Sequence, residues 1–185
     1  MKQIDRLLQK WRIRQAKRWL TNNSRLIDIG AYHGETFVAL GDQLSEGFGI
    51  EPLLDWRIET PSYVIEPGYF PTVRPVHGNW DAVTMLAVLE HIPEEEQAGI
   101  VDACYDLLRP GGRVIITVPA HAVDHILAVL KFCRLIDGMS LEEHHGFEPA
   151  DTKRIFNSPR FHLRHHSRFQ LGLNHLFVFE KIPQV

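Results

Sequence analysis

Cysteine is scarce in this chain, and long apolar runs are absent. Only Cys104 and Cys133 occur among the 185 residues. Two thiols cannot build a disulfide framework or a four-cysteine zinc site, and they fit a reducing compartment, so we expect a cytoplasmic protein. No apolar run reaches about 18 residues, and the first residues lack the apolar core of a signal peptide. The sequence therefore predicts no membrane span.

Composition places the chain among ordinary globular proteins. Hydrophobic residues make up 44% and charged residues 23% of the sequence. These fractions exclude the disordered, collagen and coiled-coil classes. A chain of this mass buries about 70% of its unfolded surface, which is enough for one core without staples. A second full-size domain is not expected.

The net charge of −3 conceals an uneven distribution. Residues 1–18 carry a net charge of +6, and the remainder carries −9. Apolar residues recur in this first segment at helical spacing, at Ile4, Leu7, Leu8, Trp11 and Trp19. We therefore divide the chain into a basic helix over 1–24, packed on or capping the domain, and a ligand-binding domain over 25–185. A solvated basic face is the favoured interpretation. A cover over a substrate pocket, a phosphate contact and, least favoured, a membrane-surface helix stay open.

Strand and helix patterns alternate along the domain. Short apolar runs predict strands over 25–30, 48–51, 63–65, 81–86, 113–118, 161–166 and 174–181. Helices are predicted over 35–44, 53–60, 93–108, 120–136 and 149–156, and residues 137–148 form the candidate mobile segment. This order predicts an α/β fold with a Rossmann-like, doubly wound, mostly parallel seven-stranded sheet, a C-terminal antiparallel hairpin and helices on both faces.

The first two predicted strands end in residues suited to a nucleoside. The first runs into Asp28-Ile-Gly-Ala-Tyr-His-Gly34, and the second ends at Glu51. Ligands of doubly wound sheets bind at the carboxyl ends of the strands, where glycine permits close approach of the backbone. A carboxylate there can accept hydrogen bonds from both ribose hydroxyls. The pattern predicts a ligand that contains adenosine.

The nucleotide signatures are incomplete. Counted from Gly30, the second and third positions of a Gly-x-Gly-x-x-Gly fingerprint are Tyr32 and Glu35, and no Gly-Lys-Ser/Thr loop is present. A ring and a carboxylate facing two phosphates disfavour NAD and FAD. S-adenosylmethionine, which has adenosine without phosphate, fits better.

Four sequence motifs, which occur along the chain in the same order as in a known family, resemble the motifs of that family. LIDIGAYHGE, FGIEP, WDAVTMLAVLEHIPEEE and LLRPGGRVIITVP resemble the class I S-adenosylmethionine-dependent methyltransferases, in the group similar to ubiquinone-biosynthesis O-methyltransferases. The resemblance covers residues 26–181. It implies a methyltransferase that binds S-adenosylmethionine and releases S-adenosylhomocysteine. The cofactor-binding positions that it implies are Asp28, Gly30, Ala31, Gly34, Glu51, Pro52, Tyr69 and Leu86.

Two positions depart from the family pattern. Tyr32 replaces the middle glycine of the first motif, so the turn must differ or the ring must swing out. Tyr69 stands where an acidic residue often bonds the adenine amino group, so Tyr69 or Phe70 is expected to pack on adenine. These departures favour, as an alternative, a catalytically inactive binding or regulatory protein of the same fold. An NAD-dependent oxidoreductase is a more distant alternative.

The predicted reaction is methyl transfer to a small molecule, with oxygen favoured as the acceptor. Glu90 and His91 follow the strand over 81–86, and we assign them as candidate catalytic residues, with a structural histidine as the alternative. His144 and His145 are candidate substrate contacts in the mobile segment, where a solvated loop is the alternative. The Asp/Asn-Pro-Pro-aromatic motif of amino-methylating enzymes is absent, which disfavours nucleic acid as a substrate. Monomer and homodimer both stay open.

The remaining histidines do not predict a metal site. In a regular strand His162 and His166 would share one face, with His165 on the other. Their separation of about 13 Å would be too large for one metal ion. Asp124 and His125 are expected to form a local surface pair. No metal is predicted.

Overall fold

A computed structural model describes residues 3–120, 147–156 and 159–183. Its eight strands form one sheet in the order β3-β4-β2-β1-β5-β6-β8-β7. Their bounds are β1 Ser24–Ile29, β2 Leu44–Glu51, β3 Ile58–Glu59, β4 Tyr63–Pro67, β5 Trp80–Leu86, β6 Leu108–Pro119, β7 Phe161–Phe169 and β8 Asn174–Lys181. The helices are α1 Gln3–Lys17, α2 Glu35–Leu40, α3 Glu94–Leu107 and α4 Pro149–Phe156.

The sheet has the predicted doubly wound connectivity. Strands β4, β2, β1, β5 and β6 run parallel, whereas β8 is antiparallel to both β6 and β7. The chain proceeds outward from β1 to one edge and then returns to β5 on the other side of β1, so the topological switch point lies between β1 and β5. Ligand sites in such sheets lie at the carboxyl ends of the strands beside this point.

Two apolar clusters cover the two faces of the sheet. One packs α3 and α4 against the sheet through side chains such as Ile100, Cys104 and Phe156. The other packs α1 and α2 through Ala16 and Phe37. Burial raises the pKa of the Cys104 thiol, so this free cysteine is a core residue without nucleophilic character.

Helix α1 is held on the sheet by apolar contacts and by hydrogen bonds. Ile13 and Ala16 are buried beneath it. Gln170 Nε2 donates to the Leu8 carbonyl at 2.9 Å, and Lys17 Nζ donates to the Ala39 carbonyl at 2.8 Å. The helix therefore has a fixed inner face and a separate outer face. In the described part of the chain, no helix is long and apolar enough to cross a membrane.

The predicted helix over 53–60 is wrong, and the strand count is eight rather than seven. Residues 58–59 form the short edge strand β3, in which Ile58 pairs with Ile65 of β4. Pro52 and Pro61 flank this segment and limit helical hydrogen bonding. Leu54 is buried whereas Trp56 is exposed, so the apolar residues do not form one helical stripe.

The predicted facing of the β7 histidines is also wrong. A register shift between Leu163 and His165 places His165 opposite Val178 and His166 opposite Phe177. Because this bulge inserts one residue, His162 and His165 share a face and His166 lies on the other. Alternation alone could not show the bulge. The predicted helix over 120–136, His144, His145 and the Asp124–His125 pair lie outside the described residues.

His166 and His175 form a stacked pair between β7 and β8. His166 Nε2 and His175 Nδ1 are 2.9 Å apart, and the His166 ring stacks on Phe177 with centroids 4.2 Å apart. Burial is the main cause that lowers the pKa of His175 to about 4, and His166, Arg168 and Lys153 add repulsion. The pair is therefore neutral in the folded protein at neutral pH.

This pair predicts acid sensitivity. As pH falls from 6.5 towards 4, the unfolded chain protonates residue 175 before the folded chain does. The contribution of His175 to stability is therefore lost in that window, by at most about 1.4 kcal/mol per pH unit, whereas the raised pKa values of Asp28 and Glu90 act in the opposite direction. In urea unfolding at several pH values, His175→Gln should remove this contribution to the pH dependence, whereas the exposed His162→Gln should leave the wild-type profile unchanged. Parallel pH profiles for wild type and His175→Gln would contradict the assignment.

Candidate functional site

The Glu51 carboxylate joins the turns that follow β1 and β2. The Tyr32 amide donates to Glu51 Oε2 at 2.8 Å, and the Leu53 amide donates to Oε1 at 3.0 Å. Glu51 is 6% exposed. Each carboxylate oxygen has a second lone pair, so both could accept a further hydrogen bond from a ligand hydroxyl. The predicted ribose position therefore has the required chemistry and is already rigidly oriented.

Every second residue in the turn after β1 adopts the left-handed backbone conformation. Gly30, Tyr32 and Gly34 have φ values of 76°, 49° and 91°. Tyr32 thus takes the backbone conformation that glycine usually supplies, and its ring lies edge-on to His33, with 38% of the residue exposed. The Tyr32 ring is thus partly exposed and contacts His33, while its backbone adopts a conformation open to glycine.

Gly30 allows a close approach between the first turn and the segment after β5. A Cβ atom at Gly30 would lie 2.5 Å from Val88 Cγ2. Gly30 itself is exposed, and the neighbouring Ala31 is buried. Sequence reasoning missed Val88, although its position two residues beyond Leu86 could have indicated it. Val88 therefore forms the wall opposite the exposed backbone of the glycine turn.

Asp28 lies beneath this turn. It is 2% exposed, and Thr84 Oγ1 donates to Asp28 Oδ1 at 2.6 Å. Burial raises the pKa of Asp28 to about 7, a hydrogen bond from each of Thr84 and Thr36 lowers it, and the charges of Glu35 and Glu51 raise it further. Asp28 therefore links β1 to β5 and α2, and its predicted contact with a cofactor stays a prediction.

The turn after β4 reaches Glu51 from the other side. The Gly68 amide donates to the Glu51 carbonyl at 3.3 Å. Tyr69 is 71% exposed, whereas Phe70 is buried in the core. Of the two aromatic candidates, Tyr69 is thus the one with a free ring face. Pro52, the last residue predicted here, is exposed beside Glu51.

A short 3-10 turn at Leu89–His91 carries the candidate catalytic residues. Glu90 is 3% exposed, and its Oε2 has no hydrogen-bond partner within the described ranges. Burial raises the pKa of Glu90 to about 7, and Arg12 of α1 acts in the opposite direction. Leu86 is half-buried and packs in the cluster under α1. Sequence reasoning assigned no role to Arg12, because only the fold places α1 beside Glu90.

The described residues contain no group of three His, Cys, Asp or Glu side chains that could hold a metal ion. The assembled features are instead a carboxylate with spare acceptor capacity, an exposed glycine turn and an aromatic ring at the edge. These groups fit an uncharged sugar and a planar base, and they offer no cation to a phosphate chain. They therefore suit adenosine.

Comparison with known proteins identifies the family of this chain. The family model described as "Methyltransferase domain" matches residues 1–171. The chain belongs to this family, within the class I S-adenosylmethionine-dependent methyltransferases, and the predicted family and cofactor are confirmed.

Two relatives and one solved structure define the similarity. Ubiquinone biosynthesis O-methyltransferase of Psychrobacter cryohalolentis is 39% identical over 82 residues, covering 42% of this chain and 31% of that protein. The Cronobacter sakazakii protein of the same name is 32% identical over 116 residues, covering 57% and 47%. Magnesium protoporphyrin IX methyltransferase from Synechocystis, solved with bound SAH, superposes with a TM-score of 0.66 at 15% identity, covering 95% and 84%. This chain spans less than half the length of these two relatives.

The conformation of Tyr32 gives a test of the turn. Tyr32→Gly should leave the unfolding temperature nearly unchanged, because glycine adopts positive φ freely. Tyr32→Val should lower stability below that of the wild type, because a β-branched side chain is more strained at positive φ than tyrosine is. Thermal and urea unfolding measure both changes. Tyr69→Val, at an exposed tyrosine outside the left-handed region, is the control, and equal effects at the two positions would refute the strained turn.

Proposed function

We propose that this protein transfers a methyl group from S-adenosylmethionine to a small molecule, with a hydroxyl oxygen as the acceptor. The observation that carries the proposal is the Glu51 carboxylate, which is fixed by two amides and retains lone pairs for a ribose diol. The similarity to O-methyltransferases supports oxygen as the acceptor. A cytoplasmic location remains a prediction from cysteine content.

In this proposal each turn contacts a different part of the cofactor. Glu51 accepts the ribose hydroxyls, and Tyr69 offers its exposed ring to adenine. The backbone at Gly30 and Ala31, opposite Val88, borders the methionine part. When bound, S-adenosylmethionine supplies a methyl group already activated by its sulfonium. The protein then has to align the acceptor and take up its proton.

Glu90 and His91 are the proposed groups for proton uptake. A hydroxyl nucleophile must lose its proton as oxygen attacks carbon, and a base with a pKa near the working pH does this best. Glu90 meets that requirement, since burial raises its pKa to about 7. His91 is half-buried in the same 3-10 turn. We propose that Glu90 accepts the proton and that His91 orients the acceptor.

The alternative of an inactive binding protein rested on Tyr32 and on the missing acidic residue. The positive φ of Tyr32, which is the conformation glycine would adopt there, supports an intact turn and favours the active enzyme. Cofactor binding separates the NAD-dependent alternative, which requires a different ligand, and methyl transfer to an acceptor separates an enzyme from an inactive binding protein.

Isothermal titration calorimetry tests the cofactor site. The protein should bind S-adenosylmethionine and S-adenosylhomocysteine, and it should not bind NADH. Glu51→Gln should weaken binding about 10- to 100-fold, because hydrogen bonds to a charged group are lost. Glu59→Gln, at an exposed carboxylate of β3, is the matched control. If the wild type does not bind S-adenosylmethionine at a ligand concentration of about 1 mM, the proposal is rejected. A dissociation constant of about 1 mM corresponds to a binding free energy of only about −4 kcal/mol.

The pH dependence of Glu90 tests the proposed base. Methyl transfer at saturating cofactor, with an acceptor found among phenols, quinols and sugars, should rise as pH passes about 7 and Glu90 loses its proton. Arg12→Gln should move this midpoint upward because a cation is lost, and Arg12→Lys should restore it. Carbon-13 NMR titration of Glu90 measures the same midpoint without an acceptor. Arg14→Gln, on the outer side of α1, is the control, and a Glu90 midpoint below 5 that ignores Arg12 would refute the assignment.

A further inference from the structure

The outer face of α1 combines exposed cations with exposed large apolar side chains. Leu7 is 63% exposed and Trp11 is 40% exposed. The other exposed residues of this segment are all basic, namely Arg6, Lys10, Arg14 and Arg18. This group of six residues is called the outer α1 face below. It lies opposite the buried residues Ile13 and Ala16, so packing of the helix on the sheet leaves it uncovered.

Helical spacing places the apolar and cationic groups side by side. Leu7, Trp11 and Arg14 follow one another at intervals of four and three residues, so they form one line along the helix, and Arg18 follows immediately after the helix end. Arg6 and Lys10 flank this line. The outer α1 face thus contains two apolar side chains surrounded by cations. A helix that packs on a core has instead a broad apolar stripe.

Within the ranges that the structure describes, acidic side chains do not neutralise the cations of this face. Among residues that the structure describes, no carboxylate pairs with Arg6, Lys10 or Arg14, and Arg18 donates to Gln15 Oε1 at 3.1 Å. An ordinary solvated helix face mixes both signs of charge at spacings of three and four residues. Here residues 6–19 contain no acidic residue at all. The face therefore complements an anionic partner.

The apolar pair distinguishes between anionic partners. A phosphate backbone requires only cations, and stacking on bases requires aromatic rings. Leu7 serves neither purpose. Tryptophan and leucine beside arginine and lysine are instead the composition of helices that lie in a membrane interface. Hydrogen bonds from Gln170 and Lys17 already hold α1 in place, so little ordering is required on binding.

We propose that the outer α1 face docks on the surface of a bilayer that contains anionic lipids. Leu7 and Trp11 enter the headgroup region, and Arg6, Lys10, Arg14 and Arg18 meet lipid phosphates. Acidic residues elsewhere in the chain oppose this weakly, because charges beyond about 10 Å are screened at 0.1 M salt. The docking is peripheral. It does not depend on the proposed function, because it uses no residue of the cofactor site.

Co-sedimentation of the full chain with lipid vesicles tests the proposal. The protein should bind vesicles of phosphatidylcholine with phosphatidylglycerol, should ignore phosphatidylcholine alone, and should be released by high salt. Changing Arg6, Lys10 and Arg14 together to Gln should weaken binding about a hundredfold, at about fivefold for each cation. The matched control changes Arg74, Lys153 and Arg168, which are exposed cations elsewhere, and should bind as the wild type does.

Two tryptophan variants test whether apolar side chains contribute to vesicle binding. Trp11→Ala should weaken vesicle binding several-fold, whereas Trp56→Ala, at another exposed tryptophan, should not. Unchanged unfolding temperatures ensure that each variant is folded. Failure to bind anionic vesicles, equal losses in both charge sets, tighter binding to an RNA oligonucleotide than to vesicles, or a dimer that buries this face would each overturn the proposal.

Discussion

The hydrogen bonds accepted by Glu51 are the interaction on which the site depends. Its two carboxylate oxygens receive the amides of Tyr32 and Leu53, and its carbonyl receives the Gly68 amide. One residue thus connects the turns that follow β1, β2 and β4. These turns belong to three neighbouring parallel strands, so their relative positions are fixed by the sheet and then secured by the side chain and the carbonyl of a single residue.

The same arrangement explains why a tyrosine is tolerated within the glycine turn. The left-handed conformation at Tyr32 costs about 1–2 kcal/mol for a residue with a side chain. In return, this conformation directs the Tyr32 amide at the buried Glu51 carboxylate, and a hydrogen bond to a charged acceptor contributes about 1.5–3 kcal/mol. The two magnitudes are similar, so the turn can persist without its middle glycine.

The sequence predicted the sheet and the positions at its carboxyl edge, because buried strands and turns have local signatures. Glu51 and Gly30 were found in this way, and the class of cofactor followed from them. The bulge near Arg164 and the edge strand at Ile58 were missed, since strand pairing decides them rather than local composition. Val88 and Arg12 were missed for a related reason. Each acts on a residue that is distant in sequence, and only the packed fold brings the partners together.

The cations of the α1 segment fall into two groups, one half-buried beside the site and one exposed on the outer face. Arg12 is half-buried, and its charge acts on Glu90, whereas the outer cations are exposed and pair with no carboxylate in the described part of the chain. The excess of +6 in residues 1–18 therefore has a local component within the site and a larger component available at the surface.

The central claim is that the Glu51 carboxylate organises the turns that receive the cofactor. Nuclear magnetic resonance of the Tyr32 and Leu53 amides during titration with S-adenosylhomocysteine tests it most directly, because both protons point at that carboxylate. The signals of these two amides are expected to shift together at the same ligand concentration. The signal of the Ile182 amide, which donates to the Arg160 carbonyl away from the carboxyl edge, should not shift. Saturable ligand binding that leaves both amides unshifted would contradict the central claim.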